Sequence, residues 1–414
     1  MALNKNGISR GSKLVFQSPA TITATLIKGE VDLAARYWQD YIDAFGQISF
    51  YSFLYDIFTG KSGYDIPGGT AWGFDDFDRF GALGIGSGGF GPLYPIGFTD
   101  IFRLLPNGLE SAQKFLKAGI RSLPEAFAAE LRQCVWTTPI RTITRRPDQR
   151  FDLISDTARF GPFDRVIMAT TTRAMEMTTN LTETALVSPA VARALRRTHI
   201  VSSVKIAARI RRFWNPDDPN DPAVRCLLSD DALHQVYTLD YGAPETAVCF
   251  LSYTWDDDAV KQQALGVAQS GGAVDKKILY RALLNMLREA GGEIAQWADR
   301  LEPYGDPETA ILFVEWQSNP HFNGAFNLSQ PGQDQYVHDM FFDFQKSLDK
   351  GNDTGFYIAG DCVAWTSSWV EGALQTGLNA AAGVIKSLQG TLNGDANGRS
   401  PLDIKADRFN YQGA

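Results

Sequence analysis

The 414-residue sequence has little of what several functional classes need. Its four cysteines, Cys134, Cys226, Cys249 and Cys362, lie far apart with no C-x-x-C pair, so neither a zinc cage nor a disulfide framework is signalled and reduced cytoplasmic thiols are the expectation. Its four histidines, His199, His234, His321 and His338, show neither H-x-x-H nor H-E-x-x-H spacing, so no metal site is expected. No apolar run approaches the roughly 20 residues that span a bilayer, and the polar start MALNKNGISRGSK has no hydrophobic signal core. A soluble, unexported protein is expected. Basic charge is also short, with 39 Lys and Arg against 47 Asp and Glu, so nucleic acid and anionic membrane are poor partners for this surface. A small molecule or another protein remains.

What is present is apolar and aromatic: 44% of the chain is hydrophobic and 12% aromatic, enough for a large core divided among two or more domains. Residues 1–17 read as a loose arm. From Ser18-Pro19 to Phe58, apolar residues recur at helical spacing through Leu26, Tyr37, Trp38, Tyr41, Ile42 and Phe45. Residues 59–97 are rich in glycine and turn formers. Helices are predicted from Phe98 to Leu105, after Asn107 and after Pro124. The period then shortens: CVWTTPIRTITRRPDQRFDLISD predicts strands about an RPDQR turn, and FDRVIMATTT a short buried strand. Segments 186–200 and 273–290 read as helices, the second stopped by Gly291-Gly292, with strands around 200–213 and 247–255 between them. The Gly/Asn/Asp-rich tail after Gln389 reads as solvated.

One motif invites a wrong conclusion. GIGSGG at Gly84–Gly89 satisfies the dinucleotide fingerprint, which needs a buried strand before it and a helix after it. Here GFDDFDRFGAL precedes it and FGPLYP follows, so it reads as a loop rather than a phosphate cradle.

The stronger signal lies near the other end, in GFYIAGDCVAWTSSWVEGALQTGLNAA from Gly355. GFYIAG is a compact apolar strand. Asp361 follows it, placed to accept a hydrogen bond from a ribose or ribityl hydroxyl or merely to cap a turn. Ser367 and Ser368 are candidate caps for a helix whose N-terminal dipole favours negative charge. Glu371 fits helix capping and is assigned no chemistry.

These residues resemble the flavin-dependent amine oxidases, and more closely their bacterial amino-acid branch with tryptophan, phenylalanine and lysine 2-monooxygenases. The resemblance extends to GIGSGGFGPLYP, NGLESAQKFLKAGIRSLPEAFA, FDRVIMATTTRAM, HIVSSVK, LSYTWDDD and NPHFNGAFNLSQPGQ, covering roughly residues 18–390. It implies an α/β fold with a discontinuous FAD-binding domain, incomplete in this chain, and an α+β substrate-binding domain with a mixed sheet. The implied segments are an arm at 1–17, substrate-domain helices at 18–105, FAD-binding segments at 106–185 and 346–390, the substrate domain at 186–345 and a tail at 391–414. It implies FAD as cofactor, with Ile140, Trp316, Gly360, Asp361, Ser368, Trp369 and Val370 toward it. It makes Lys205 the lysine that holds a water near flavin N5, and Phe326 and Trp369 the aromatic walls of the substrate slot. Tyr253 and Trp255 would line the substrate chamber, Tyr253 donating to a substrate carboxylate. The implied reaction is oxidation of a bulky L-amino acid with oxygen as acceptor, ending in keto acid, ammonia and peroxide or in amide and carbon dioxide. A lysine-type substrate would require an inward acid among Asp256, Asp257 and Asp258, which read as exposed caps.

The family's N-terminal glycine loop and carboxylate-clamping arginine have no counterpart here. The expectation is a second, smaller subunit carrying both, joined in a higher hetero-oligomer, with Met1 at the start favouring separate translation over a cleaved precursor.

Overall fold

The computed structural model describes residues 2–84, 89–107, 116–131, 134–177, 180–181, 186–215, 217–218, 220, 226–267, 273–349 and 351–394. The helix expected after Asn107, the centre of the 84–89 loop and the end of the tail lie outside them. The chain packs as two compact units, one of Met1–Thr70, Ile96–Ile200 and Pro320–Ala414, the other of Ala71–Pro95 and Val201–Asn319. Residues 18–70, grouped by sequence with the substrate domain, fall in the same unit as the Asp361 segment.

The first unit is anchored by rings. Helices Val31–Phe45, Phe50–Phe58 and Phe98–Phe102 present aromatics at helical spacing. Their side chains interlock, with Phe53 and Phe98 centroids 4.3 Å apart and Tyr41 and Phe102 4.9 Å apart. Residues 1–17 are not a loose arm. They form a helix, Ala2–Asn6, and an antiparallel hairpin, Ile8–Arg10 with Lys13–Phe16, turned at Gly11 with φ +59°. The hairpin is held because Ile8 is fully buried and the Phe16 ring packs tilted against Tyr41, with centroids 5.0 Å apart. The RPDQR turn joins Thr142–Arg145 to Phe151–Ile154 as expected, inside a four-stranded sheet whose Thr142–Arg145 strand also pairs in parallel with Asn180–Leu181. Val166–Met168 pairs in parallel with Phe356–Ile358. Parallel pairing buried on both faces explains the unbroken apolar run of that strand, whose three residues are all buried.

The second unit is built on a five-stranded sheet in which every described pairing is antiparallel, centred on Ser203–Arg211 and Thr246–Trp255. Mixed pairing belongs to the first unit. One face of the five-stranded sheet packs Ile206, Ala208, Ile210, Cys249 and Leu251 against helix Lys276–Glu289 through Leu279, Leu283 and Leu287. Gly291 and Gly292, with φ +72° and +58°, end that helix as expected. The turn-rich 59–97 stretch contains an unexpected helix, Phe74–Leu83, whose N-cap N–H bonds the Asp76 carboxylate. That helix occupies the place where a dinucleotide fingerprint needs a strand, and the short turn Gly91–Leu93 follows instead of a long helix.

Candidate active site

In the first unit the strand Phe356–Ile358 runs into Gly360, whose φ of +120° a side chain would strain. Helix Val370–Ser387 returns to clamp this glycine: Gly360 N donates to Thr376 Oγ1 at 2.9 Å, and that hydroxyl lies 3.0 Å from the Gly360 carbonyl. The helix approaches closely because Gly372 has no side chain, and a Cβ there would meet the Thr366 carbonyl at 2.2 Å. Asp361 sits between these elements. Burial raises its pKa, against hydrogen bonds from Cys362 and the local backbone that lower it.

Ser367 and Ser368 do not cap the helix. Trp369 occupies the N-cap position and contributes no side-chain bond. Ser368 adopts φ +71°, which turns its hydroxyl away from the first helical turn to donate to the Asn327 carbonyl at 2.9 Å. Ser367 Oγ accepts from Arg103 Nη2 at 2.7 Å. The turn is thereby tied to Phe326–Asn327, the strand that carries the expected aromatic wall, so Phe326 and Ser368 are brought into one neighbourhood. Phe326 and Trp369 are both half-buried, while Val370 is 46% exposed at the helix start. Ile140 packs against the cluster of Val166, Met168 and Ile358 beneath the parallel strands.

Below this turn lies a charged cluster. Asp100 accepts from the Ser329 backbone N–H and pairs with Arg103 at 2.8 Å, and Thr99 Oγ1 donates to Asp334 Oδ1 at 2.7 Å. Burial, then the Asp100 charge, raise the Asp334 pKa to about 7.

The second unit gathers Lys205, Tyr253 and Trp316. Strand pairing sets Lys205 opposite Tyr253 and opposite Val314, just before Trp316. The Lys205 ammonium stands 4.1 Å from the Tyr253 ring centre and 5.7 Å from that of Trp316. Burial lowers its pKa. Burial raises the Tyr253 phenol. Trp255 is buried and meets Tyr253 edge-on at 5.1 Å. Asp258 is not an exposed cap: it is buried, 3.0 Å from His234 Nε2 and 2.8 Å from Lys261 Nζ. Burial would raise its pKa, but the bonds from His234 and Lys261 prevail and hold it low. Helix Asp256–Gly266 turns it inward toward His234 while Asp257 points out.

The residues present fit a flavin on an observation independent of any name. The fully buried Asn327 has an Oδ1 with no hydrogen-bond partner, beside the Ser368 tether, and a buried acceptor left this way awaits a donor. Asn327, Thr376, Gly372 and Arg103 were missed in the sequence. Signals existed: Gly372, Thr376, Ala380 and Gly383 repeat as a stripe of small, buried residues along the helix, and Arg103 is a lone cation at the end of an aromatic helix.

The model of the family described as flavin containing amine oxidoreductase matches residues 33–385. A tryptophan 2-monooxygenase of Pantoea agglomerans pv. gypsophilae is 37% identical over 95% of this chain and 68% of its own length, and one of Pseudomonas savastanoi is 35% identical over 99% of this chain and 71% of its own. Among solved structures, cyclohexylamine oxidase from Brevibacterium oxydans IH-35A superposes with a TM-score of 0.56 at 15% identity, covering 84% of this chain and 69% of that one. Putrescine oxidase bound to putrescine gives 0.56 at 15%, covering 89% and 76%. These structures support the fold.

The relatives correct the expected partner. Each tryptophan 2-monooxygenase is a single chain that holds the whole matched region together with the rest of its length, so a separate smaller subunit carrying the glycine fingerprint and the arginine, and the hetero-oligomer built on it, are not supported. Among the described residues no helix is long and apolar enough to cross a membrane. With an α/β architecture, a flavin-compatible turn and a match spanning residues 33–385, the chain belongs to the flavin containing amine oxidoreductases and is an FAD-dependent oxidoreductase.

Proposed function

We propose that the protein oxidises the Cα–N bond of a bulky, aromatic or apolar L-amino acid, with oxygen as acceptor and amide plus carbon dioxide as at least one outcome. The observation that carries this reading is the uncompensated lysine. Lys205 is partly buried against two aromatic rings, and among the described residues no carboxylate lies within ion-pair distance of it. A lysine in such a setting, its pKa lowered by burial, can hold a water beside the reacting centre. FAD supplies the redox chemistry when bound, accepting the hydride equivalent from Cα.

The chain's own residues bind, orient and exclude water. Asp361 would accept from a hydroxyl of the cofactor, Gly360 and the start of helix Val370–Ser387 would face its negative edge, and Trp316 would pack along its ring. Phe326 and Trp369 would flank the reacting amine. Tyr253 would donate to the substrate carboxylate and Lys205 would hold the water, with Trp255 completing the apolar wall. Asp258 is already engaged by His234 and by the Lys261 ammonium, which favours an apolar side chain over a lysine-type substrate. The identity with two tryptophan 2-monooxygenases supports the same choice.

The test is an assay of the purified flavoprotein against the twenty L-amino acids and their decarboxylated amines, measuring peroxide and amide separately. Turnover of aromatic amino acids with amide formation is the expected result. Turnover of amines with no response to amino acids would overturn the proposal in favour of an amine oxidase without carboxylate recognition, and absence of flavin from the purified protein would overturn it in favour of a scaffold role.

A further inference from the structure

We propose that Arg103 is a positioning residue for the flavin-facing turn, acting through Ser367 from a site buried beneath it. The inference rests on the reading that the 360–370 turn meets the cofactor.

The turn is held in a conformation that its own sequence does not favour. Ser368 is a non-glycine residue at φ +71°, a region that strains a side chain and persists only where the surroundings over-determine it. No side chain caps the helix that follows. Two hydroxyl tethers supply the restraint. One is Ser368 to the Asn327 carbonyl, and the other is Ser367 to Arg103.

Arg103 is suited to fix a position rather than to carry a surface charge. Its side chain is 11% exposed, and its partner Asp100 is 1% exposed. One arm of the guanidinium bonds Asp100 at 2.8 Å while Nη2 donates to Ser367, itself buried. A planar fork shared between a carboxylate and a hydroxyl defines direction as well as distance. The other end of the fork is rigid: Asp100 also accepts from the Ser329 N–H, and it lies on the helix Phe98–Phe102, whose Phe98 and Phe102 are locked in the aromatic core. The order of that core is thereby passed to the turn through a single short bond. Ser329 is two residues from Asn327, so both tethers lead back to one segment.

The experiment compares Ser367→Ala, Ser367→Thr, Arg103→Gln and, as a control on the cofactor reading, Gly360→Val, in the intact flavoprotein. The readouts are the FAD dissociation constant by fluorescence quenching, the vibronic shoulder of the bound flavin absorbance, and the thermal midpoint. Ser367→Ala leaves the Arg103–Asp100 pair intact, so folding is preserved while the tether is cut. The expected result is FAD binding weakened about tenfold and a blurred shoulder in Ser367→Ala and Arg103→Gln, with both readouts restored in Ser367→Thr. FAD affinity and spectrum within twofold of the parent in Ser367→Ala, while Gly360→Val loses FAD, would overturn the role of Arg103 alone. Parent-like FAD binding in Gly360→Val as well would overturn the placement of the flavin at this turn.

Discussion

In the second unit, Lys205 and Tyr253 share a face because antiparallel pairing puts them opposite each other, and the sheet is backed by Leu279, Leu283 and Leu287. In the first unit, Gly360, Ser367 and Ser368 are placed by backbone conformation and by bonds to Thr376 on the following helix and to Arg103 and Asn327, far away in sequence. One arrangement tolerates change in any single polar contact because the ladder and the apolar face define it. The other depends on a few polar contacts, each of which fixes a direction.

The contrast is sharpest under truncation of the apolar core. Leu283→Ala removes a fully buried side chain and is expected to cost roughly 2–5 kcal/mol in urea unfolding, while the FAD dissociation constant of the folded fraction stays at its parent value. Lys205→Met is the complementary case. It is expected to slow flavin reduction by about a hundredfold in stopped-flow measurement, with stability changed by less than about 1 kcal/mol, since the sheet does not need the charge. Gly372→Ala forces a methyl against the Thr366 carbonyl and the Ala364 side chain, and is expected to cost roughly 1–3 kcal/mol and to weaken FAD binding at the same time. Equal FAD affinity in Gly372→Ala and parent would erase the distinction between the units.

The smallest effect concerns pH. The folded Asp334 has its pKa raised from 3.8 to about 7, so between these values the unfolded chain releases a proton that the folded chain keeps. Its contribution is full at acid pH, declines as pH rises through that window and levels off above it. Asp334→Asn is expected to flatten the decline in urea midpoint between about pH 4 and pH 7. An unchanged slope would mean that the burial of Asp334, with Asp100 nearby, carries no such energy.

The ease of reading followed the same division. Helix Lys276–Glu289 was legible to within a few residues because apolar spacing and the paired glycines are local signals. The strands about RPDQR and the parallel strand before Asp361 were legible for the same reason. The 1–17 hairpin was not, since a four-residue strand with three polar-facing or partly exposed positions is fixed by Phe16 entering a ring cluster formed elsewhere. The serines before Trp369 looked like caps because Ser is a good cap in isolation; a left-handed Ser368 bonded to Asn327 overrode that preference. Asp258 looked exposed because it stands in a run of acids, and the partner that buries it, His234, is remote in sequence.

By itself the sequence determined the apolar rhythm of helices and strands and the family, and it supplied the residues proposed to meet flavin and substrate. These depend on residue type and near spacing, which a linear chain carries in full. The tertiary structure decided that Arg103 meets Ser367, that among the described residues Asn327 Oδ1 has no partner beside the turn, and that Lys205 lies near two rings with no carboxylate of those residues in ion-pair distance. Those facts depend on direction and on exclusion of water, which exist only once distant segments are packed together.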